Sequence, residues 1–375
     1  MLMKGLYITS QNLEDATSGV NKKINMQIKA FKQLGADVEI PNLSAEKKID
    51  KLVRRLPLMK SEFERKLSKL LLDHKYMKDV EFVYIRHPML SVQLLNMIKK
   101  MSDMGLYVVY EFPTFPYDKN SDKLSAKASL IKDKWSRGKL YKYVNLGVNY
   151  SGFNEIFSIP CLSISNGIDT DSITPHKKSS NDNSISFIGV ALLAKWNGYD
   201  RLIKAIKRYN SEENSLKVQF HIVGNGDIYD ELNQQINEEQ LENCVFMHGY
   251  MSGKELDDLY NQCDIGVGTL NPSRKYKNHI MSSLKTKEYT AKGIPFIKGD
   301  IDDVFDKNNP DFVFNVSDDE TPIDINKIVE WYNTLLSSRG EQEIVKEMRD
   351  FARSMLSWEK QLSSVVEAIK ENTNA

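Results

Sequence analysis

The sequence has no long apolar run, few cysteines and no overall charge. No apolar stretch reaches the about 18 residues that a bilayer-spanning helix needs, and the first segment, MLMKGLYITSQN, lacks the apolar core and cleavage site of a signal peptide. The three cysteines, Cys161, Cys244 and Cys263, are too widely spaced for a CxxC pair or a metal-ligand cluster. These absences predict a cytoplasmic protein with reduced, structural thiols.

Signatures of several chemistries are also missing. There is no GxSxG elbow, and no pattern indicates a cysteine nucleophile. Asp-x-Asp pairs occur at Asp169–Asp171 and Asp300–Asp302, but both lie in turn-like stretches where aspartate is common. We therefore expect no bound metal.

The balanced charge conceals a strong asymmetry between the two halves. Residues 1–150 contain 27 Lys and Arg against 16 Asp and Glu, whereas the remaining 225 residues contain 24 against 35. Two basic stretches, 51–78 and 119–142, interleave lysine and arginine with large apolar residues. This pattern favours peripheral contact with an anionic membrane or binding of an anionic acceptor, and a merely solvated basic helix face is the alternative. No recognisable nucleic-acid motif accompanies the charge, so we expect no nucleic acid partner.

Short apolar segments alternate with amphipathic ones, and this pattern occurs twice. The predicted strands are 4–9, 37–41, 81–86, 107–111 and 146–150, and then 184–189, 218–224, 245–249, 264–268, 295–299 and 311–316. The predicted helices are 19–35, 45–75, 89–103 and 122–143, and then 198–209, 227–238, 252–262, 282–292, 324–337, 340–354 and 357–372. Two such sets predict an α/β protein with two Rossmann-like, doubly wound domains.

The domain boundary is expected in a segment rich in Pro, Ser, Asn and Asp, residues 159–184, where the charge also changes sign. We place the first domain at 1–165 together with the C-terminal helix 357–375, and the second domain at 166–356. The first is expected to bind the acceptor and the second the donor.

Three segments of the second half carry candidate ligand-binding groups. Lys195 lies in a loop between a strand and a helix, where an open α/β sheet binds ligands and helix N–H groups favour phosphate. It is equally compatible with a solvated loop lysine. Gly224 and Gly226 follow the next strand as half of a GxGxxG pattern, but Tyr229 occupies the third small position. They indicate either close approach of a ligand or a turn that needs positive φ.

The third segment is the strongest candidate. Arg274 belongs to a basic loop that precedes a predicted helix start, and Lys285 and Glu288 lie on one face of that helix. This places cationic groups for phosphate beside a carboxylate that accepts hydrogen bonds from sugar hydroxyls. A surface ion pair between Lys285 and Glu288 is the alternative.

In the first half, Gly19 lies at a helix start after a polar loop, where it either admits a ligand or forms a turn. His87 and Glu111 each follow or end a predicted strand, at the edge where open sheets bind ligands. We take these two as candidate catalytic residues, with a structural role as the alternative for each.

The order of these segments resembles the group 1 glycosyltransferase superfamily, of the family 4 type, with the GT-B fold. The matching pieces are SGVNKKINMQIKAFKQLGADVEI, SISNGID, FIGVALLAKWNGYDRLIKAI, HIVGNGDIYDEL, VFMHGYMSGKELDDLYNQCDIGVG and LKTKEYTAKGIPFI. The resemblance implies two domains facing a central cleft, no metal requirement, and a UDP- or GDP-linked sugar as co-substrate rather than a separate cofactor.

The resemblance also implies residue roles. Glu288 matches the carboxylate that binds the ribose, Lys195 the basic residue near the diphosphate, and Gly224 and Gly226 the donor pocket. Gly19 matches the loop that faces the donor, and His87 would lie near the transferred sugar. The chain departs from the pattern at Ile280, where retaining members often have a first glutamate, and at Val190, where an arginine is usual.

The sequence thus predicts a glycosyltransferase, metal-independent and of the retaining type, that acts on a glycan or lipid-linked acceptor in bacterial surface polysaccharide synthesis at the inner face of the cell membrane. An inverting enzyme would need Glu111 or His87 as the general base. The alternatives are a sugar-nucleotide epimerase or phosphorylase on the same fold, a nicotinamide-dependent dehydrogenase, and a non-catalytic sugar- or nucleotide-binding partner of another protein.

Overall fold

The structure is a computed structural model that describes residues 2–14, 19–44, 60–86, 89–118, 124–178, 184–212, 216–275 and 280–373. The chain divides into two compact units. The first comprises residues 1–165 and 358–375, and the second comprises residues 166–357. Each unit is built on its own sheet, and each is described separately below.

The first unit contains a seven-stranded sheet. Its strands are β1 (Met3–Thr9), β2 (Ala36–Glu39), β3 (Phe82–Arg86), β4 (Tyr107–Phe112), β5 (Leu146–Asn149), β6 (Glu155–Ile156) and β7 (Ile159–Ser163). They are ordered β2-β1-β3-β4-β5-β7-β6, and every pair is parallel except the antiparallel pair β6 and β7. The strand order reverses direction between β1 and β3, which makes this the ligand-binding edge expected of an open α/β sheet.

Helices cover both faces of this sheet. They are α1 (Gly19–Gln33), α2 (Glu62–Leu70), α3 (His74–Met77), α4 (Val92–Asp103) and α5 (Leu124–Arg137). Their starts follow local capping chemistry: Ser61 and Glu64 form a reciprocal capping box on α2, and the Ser91 hydroxyl accepts from the Leu94 N–H on α4.

The second unit contains a six-stranded, fully parallel sheet. Its strands are β8 (Ser184–Val190), β9 (Lys217–Val223), β10 (Val245–Gly249), β11 (Ile265–Val267), β12 (Phe296–Lys298) and β13 (Val313–Asn315). The spatial order β10-β9-β8-β11-β12-β13 is the order 3-2-1-4-5-6 of a Rossmann sheet. The order reverses between β8 and β11, so the carboxyl ends of these two strands flank the expected ligand crevice.

The helices of the second unit alternate with its strands. They are α6 (Tyr199–Ser211), α7 (Tyr229–Glu238), α8 (Gly253–Tyr260), α9 (Leu284–Lys292), α10 (Asp303–Asn308), α11 (Ile325–Arg339) and α12 (Glu341–Met355). Buried apolar residues form separate clusters on the two faces of the sheet. The strands therefore pack between two helical layers, which explains why their sequences are rich in Val, Ile and Phe.

The last helix, α13 (Trp358–Thr373), belongs to the first unit and packs along α1. Lys370 Nζ donates to the Leu34 carbonyl at 2.8 Å, and the Ser165 N–H donates to Gln361 Oε1 at 2.8 Å. Its buried residues, which include Trp358, Leu362 and Ile369, join the core cluster that covers one face of the first sheet.

The predicted fold class is confirmed, since each unit has a parallel sheet covered on both faces. Several elements differ from the sequence prediction, and two of them are longer than four residues. Residues 159–163 form β7 rather than part of a linker, because the segment IPCLS pairs in parallel with β5 despite its proline. Residues 303–308 form α10, whose start is capped by Asp302. No helix among the described residues is long and apolar enough to span a membrane.

Candidate functional site

Tyr289 of α9 lies at the reversal point of the second sheet. Its hydroxyl is 3.2 Å from the carbonyl oxygens of Ile188 and Val267, which belong to the neighbouring strands β8 and β11. The same oxygen accepts a hydrogen bond from the Val190 N–H at 3.2 Å. Because one buried side chain contacts both strand ends, α9 is fixed beside the crevice where an open α/β sheet binds ligands.

The start of α9 offers positive charge to a ligand. Ser283, the residue that precedes the helix, makes no side-chain capping bond, and the first turn contains no acidic residue. The N–H groups of a first helical turn have no partner within the helix, and the helix dipole makes them favourable to anions. Lys285 adds a full charge to the same turn.

Lys285 reaches from α9 into the crevice. Its ammonium donates to the Gly268 carbonyl, just after β11, at 2.9 Å, and lies 3.4 Å from the Tyr199 hydroxyl at the start of α6. Burial lowers the pKa of Lys285, and the nearby Asp300 carboxylate opposes that shift. A half-buried ammonium beside one carbonyl oxygen and one phenol is incompletely solvated, so it would attract a phosphate strongly.

Asp300 lies in a group of buried charges behind the start of α9. Its side chain is 3% exposed, and neither carboxylate oxygen has a hydrogen-bond partner among the described residues. Burial raises the pKa of Asp300. Lys298 holds this turn by donating to the Asp300 carbonyl and to Asp306, both at 2.6 Å. Lys287 pairs with Asp302 nearby, so Asp302 serves as a cap and an ion-pair partner.

The loop that contains Lys195 is also fixed at the crevice. The Leu270 N–H donates to the Asn197 carbonyl at 3.0 Å, which joins this loop to the segment that follows β11. Gly198 adopts φ +69° at the start of α6, where a side chain would crowd Leu270 and Asn271. The Lys195 ammonium itself points elsewhere: it lies 3.3 Å from Glu231 of α7, and both side chains are largely exposed.

Gly224 and Gly226 are explained by contacts within the chain. Gly224 has φ +126°, and a Cβ there would lie 1.8 Å from the Ala191 carbonyl oxygen. A Cβ at Gly226 would lie 2.1 Å from the Leu193 carbonyl oxygen. Glycine is therefore required for the loop after β9 to pack against the loop after β8, and the predicted role in lining a donor pocket stays a prediction.

Arg274 has no N–H donor left for a ligand. Its guanidinium donates to Asp200 at 2.7 and 2.9 Å, to Glu320 at 2.9 and 2.8 Å, and to the Lys195 carbonyl at 3.0 Å. These five bonds use all five guanidinium donors. The geometry therefore assigns Arg274 to a clamp that joins α6 to the loops around it, and it does not favour the predicted contact with the donor phosphates.

Glu288 lies one turn after Lys285 on α9 and is half-buried. Its carboxylate is close enough to the Tyr260 phenol to raise the pKa of Tyr260, an effect second to burial. This carboxylate lies on the same helix as the cationic first turn. The structure thus brings Lys285 and Glu288 together on α9, whereas it directs the Lys195 ammonium and the Arg274 guanidinium to other carboxylates.

In the first unit, Glu111 is completely buried at the end of β4. It accepts hydrogen bonds from Arg86 Nε at 2.9 Å, from the Tyr84 hydroxyl at 2.8 Å and from Gln27 Nε2 at 3.3 Å, and lies 3.8 Å from the Lys23 ammonium. Although burial alone would raise the pKa of Glu111, these partners hold it below its ordinary value. The expectation that Glu111 is a general base is not supported by this geometry, because a buried, fully paired carboxylate with a low pKa is a poor proton acceptor.

The remaining predicted site residues of the first unit are Gly19 and His87. Gly19 begins α1, and a Cβ there would meet no atom of the described chain within 4 Å. Chain packing therefore does not demand glycine at this position. His87 lies outside the described residues.

Sequence reasoning did not find Asn166, Tyr289 or Asp300. Tyr289 resembles any core tyrosine in the sequence, and Asp300 resembles a turn residue. Asn166 lies in the segment SISNGID, which carried part of the resemblance, but its contact with Ser282 joins residues 116 positions apart. Only folding brings them together.

Part of the chain matches a known protein family. Residues 182–326 match the family model described as group 1 glycosyl transferases. No curated protein sequence matches the chain. The family match covers the sheet reversal point and all of α9.

Several solved structures share the fold over nearly the whole chain. A glycosyltransferase from Rickettsia africae has a TM-score of 0.67 at 15% identity and covers 99% of this chain and 98% of its own. HepE from Anabaena in complex with UDP has a TM-score of 0.58 at 12% identity, with coverages of 99% and 100%. The lipopolysaccharide outer core galactosyltransferase WaaB has a TM-score of 0.59 at 13% identity, with coverages of 98% and 100%.

At these identities the structural likeness establishes the fold, and the family match is confined to residues 182–326 of the second unit. The chain has the GT-B fold. The resemblance to group 1 glycosyltransferases that the sequence indicates is thereby confirmed.

Proposed function

We propose that the chain is a glycosyltransferase that binds a nucleotide-diphosphate sugar at the reversal point of its second sheet. The observation that carries the proposal is the arrangement on α9: a first turn without a side-chain cap, the half-buried Lys285 and, one turn later, the half-buried Glu288. This combination provides cationic groups for a diphosphate and an acceptor for ribose hydroxyls within one helix.

The diphosphate is the leaving group of the proposed reaction. It gains negative charge as the bond between the sugar and the phosphate oxygen breaks, and groups that are fixed before the reaction stabilise this charge most effectively. The Gly268 carbonyl fixes the Lys285 ammonium, and the Tyr289 hydroxyl fixes α9 through its bond to the Val267 carbonyl, so both are in place before the reaction. Removal of one such donor typically costs on the order of 3 kcal/mol of activation free energy.

UDP is the proposed nucleotide, with GDP as the alternative. The fold relative HepE was solved with UDP and with UDP-glucose, which supports a uridine nucleotide for this chain as well. We propose that Glu288 accepts the ribose hydroxyl hydrogen bonds. Gly224 and Gly226 would contribute to the pocket through the loop that they allow to pack closely, without direct ligand contact.

We propose that transfer proceeds with retention of configuration and without a metal ion. In this mechanism the departing phosphate accepts the proton of the acceptor hydroxyl, so no separate base is needed. The burial and ion pairing of Glu111 support this choice, because they remove one of the two general bases that an inverting mechanism would use. The cations on α9 would supply the charge that a metal supplies in other transferases.

The proposed acceptor is a glycan or a lipid-linked glycan in bacterial surface polysaccharide synthesis, used at the inner face of the cell membrane. The excess of basic residues in the first half supports an anionic acceptor. The relative WaaB is a lipopolysaccharide outer core galactosyltransferase, which supports an acceptor of this class.

A screen of nucleotide sugars for release of free nucleotide tests the proposal. We expect release from one UDP- or GDP-linked sugar, increased by a suitable acceptor. The residue Ile280, in place of the first glutamate of retaining relatives, favours a non-catalytic binding module as the second candidate. Binding of UDP without release from any nucleotide sugar, with or without acceptors, would support that candidate instead.

A further inference from the structure

One face of α5 exposes large apolar side chains. Ile131 is 56% exposed and Trp135 is 71% exposed, and Tyr141, just after the helix, is 47% exposed. Ile131 and Trp135 are four residues apart, so they lie on the same face of the helix. Exposed side chains of this size indicate contact with an apolar partner when they occur together.

The opposite face of α5 is firmly anchored, so this exposure is a fixed feature of the fold. Asp133 is buried, and it accepts hydrogen bonds from the Leu90 N–H at 2.7 Å and from the Tyr117 hydroxyl at 2.8 Å. Arg137 donates to both carboxylate oxygens of Asp118, at 2.6 and 2.9 Å. These bonds set the rotation of the helix about its axis and hold Ile131 and Trp135 toward solvent.

The surroundings of these apolar side chains are cationic. Residues 130–145 contain five basic residues and one acidic residue, and the acidic residue is the buried Asp133. Lys134, Lys139 and Lys142 are exposed, although Lys134 lies 3.6 Å from Asp118. An exposed tryptophan and isoleucine with lysines around them fit the boundary between anionic lipid headgroups and acyl chains, where the rings are buried and the lysines face phosphates.

We propose that Ile131, Lys134, Trp135, Lys139, Tyr141 and Lys142 form a docking patch for an anionic lipid bilayer. Trp135 and Ile131 insert at the headgroup boundary, and the lysines contact lipid phosphates. The inference deepens the proposed function, because a lipid-linked acceptor lies in the membrane to which this patch would bring the first unit. The apolar side chains favour a bilayer over nucleic acid, for which lysines alone would suffice.

Sedimentation of the full chain with lipid vesicles tests the patch. We expect binding to vesicles that contain phosphatidylglycerol, weak binding to pure phosphatidylcholine vesicles, and a decrease with salt. The double variant Ile131→Ser and Trp135→Ser should lose about tenfold or more in vesicle affinity. Leu2→Ser is the matched control, since Leu2 is 60% exposed in the same unit but lies outside the patch and outside both basic stretches; it should bind as the wild type does.

The affinity for UDP, measured on the same preparations, separates the two proposals. The patch variants should keep the wild-type UDP affinity, which also shows that they are folded. Wild-type protein that binds UDP but no anionic vesicles, or a double variant that binds vesicles as the wild type does, would overturn the patch and leave the transferase proposal intact. Failure of the wild type to bind any nucleotide diphosphate would overturn the transferase proposal, whatever the vesicles show.

Discussion

Asn166 holds Ser282 by two hydrogen bonds. Its N–H donates to the Ser282 hydroxyl at 2.6 Å, and its side-chain amide donates to the Ser282 carbonyl at 2.7 Å. Ser282 stands just before α9, so Asn166 fixes the position of the helix start that we propose binds the diphosphate.

Asn166→Ala should therefore lower the affinity for UDP by about fivefold, because the side-chain bond to the Ser282 carbonyl, worth about 1 kcal/mol, is lost while the backbone N–H still donates to the Ser282 hydroxyl. Titration calorimetry measures the effect, and Asn326→Ala, at an exposed position of α11, is the control. If Asn166→Ala binds UDP as tightly as the wild type, the position of Ser282 does not matter for nucleotide binding.

Lys285 should give nucleotide binding a characteristic pH dependence. Because its pKa is lowered by burial, its ammonium loses the proton at a lower pH than an ordinary lysine does. The attraction for the diphosphate is complete below that pKa and is lost as the pH rises through it, so UDP affinity should fall as the pH rises above about 7.

Lys285→Arg should flatten this profile, since a guanidinium stays charged throughout the range. Lys285→Met should weaken binding at every pH, whereas Lys327→Met, at an exposed position in the same unit, should change nothing. A wild-type profile that is already flat, or an unchanged slope in Lys285→Arg, would show that another group controls the titration.

Glu288 should distinguish ribose from deoxyribose. If its carboxylate accepts a hydrogen bond from the ribose 2′-hydroxyl, wild-type protein should bind UDP about tenfold more tightly than 2′-deoxy-UDP. Glu288→Ala should lose this preference and bind the two nucleotides equally, while Glu330→Ala, an exposed glutamate of α11, should retain it. A preference that survives in Glu288→Ala would remove Glu288 from the ribose site.

Glu111 should be essential for stability and not for proton transfer. Glu111→Ala leaves Arg86 and Lys23 buried without their counter-charge, which should cost about 3–5 kcal/mol of unfolding free energy. Its lowered pKa means that the stabilisation is present above its unfolded pKa of about 4.3 and is lost as the pH falls through the lower folded value.

Turnover by Glu111→Gln distinguishes the two roles. We expect its kcat, corrected for the folded fraction by urea unfolding, to remain within about tenfold of the wild type. A general base would contribute about 100-fold or more, so a loss of that size in fully folded protein would restore Glu111 to the catalytic machinery and favour inversion.

The sequence predicted strands and helices correctly where the spacing of apolar residues determines the local structure. The strands SISFIG and VQFHIVG and the helix at 282–292 were predicted within a few residues, because apolar runs and the Gly293-Ile294-Pro295 stop are local signals. The strand β7 was missed because a proline and polar residues favour a linker, whereas pairing with β5 decides the structure.

The candidate site was predictable only in part. Lys285 and Glu288 could be placed on one helix from their spacing, but the Gly268 carbonyl that holds Lys285 is 17 residues away in the sequence, and only the fold brings the two together. The two carboxylates that surround Arg274, Asp200 and Glu320, come from distant segments, so the sequence showed a basic loop where the fold pairs the arginine with two carboxylates.

The central claim is that α9 presents a nucleotide-diphosphate site. Titration calorimetry of the purified chain with UDP, GDP and NAD tests it most directly. The account predicts binding of UDP or GDP, weakened by Lys285→Met and by Glu288→Ala, and no comparable binding of NAD. Tight binding of NAD without binding of either nucleotide diphosphate would contradict it.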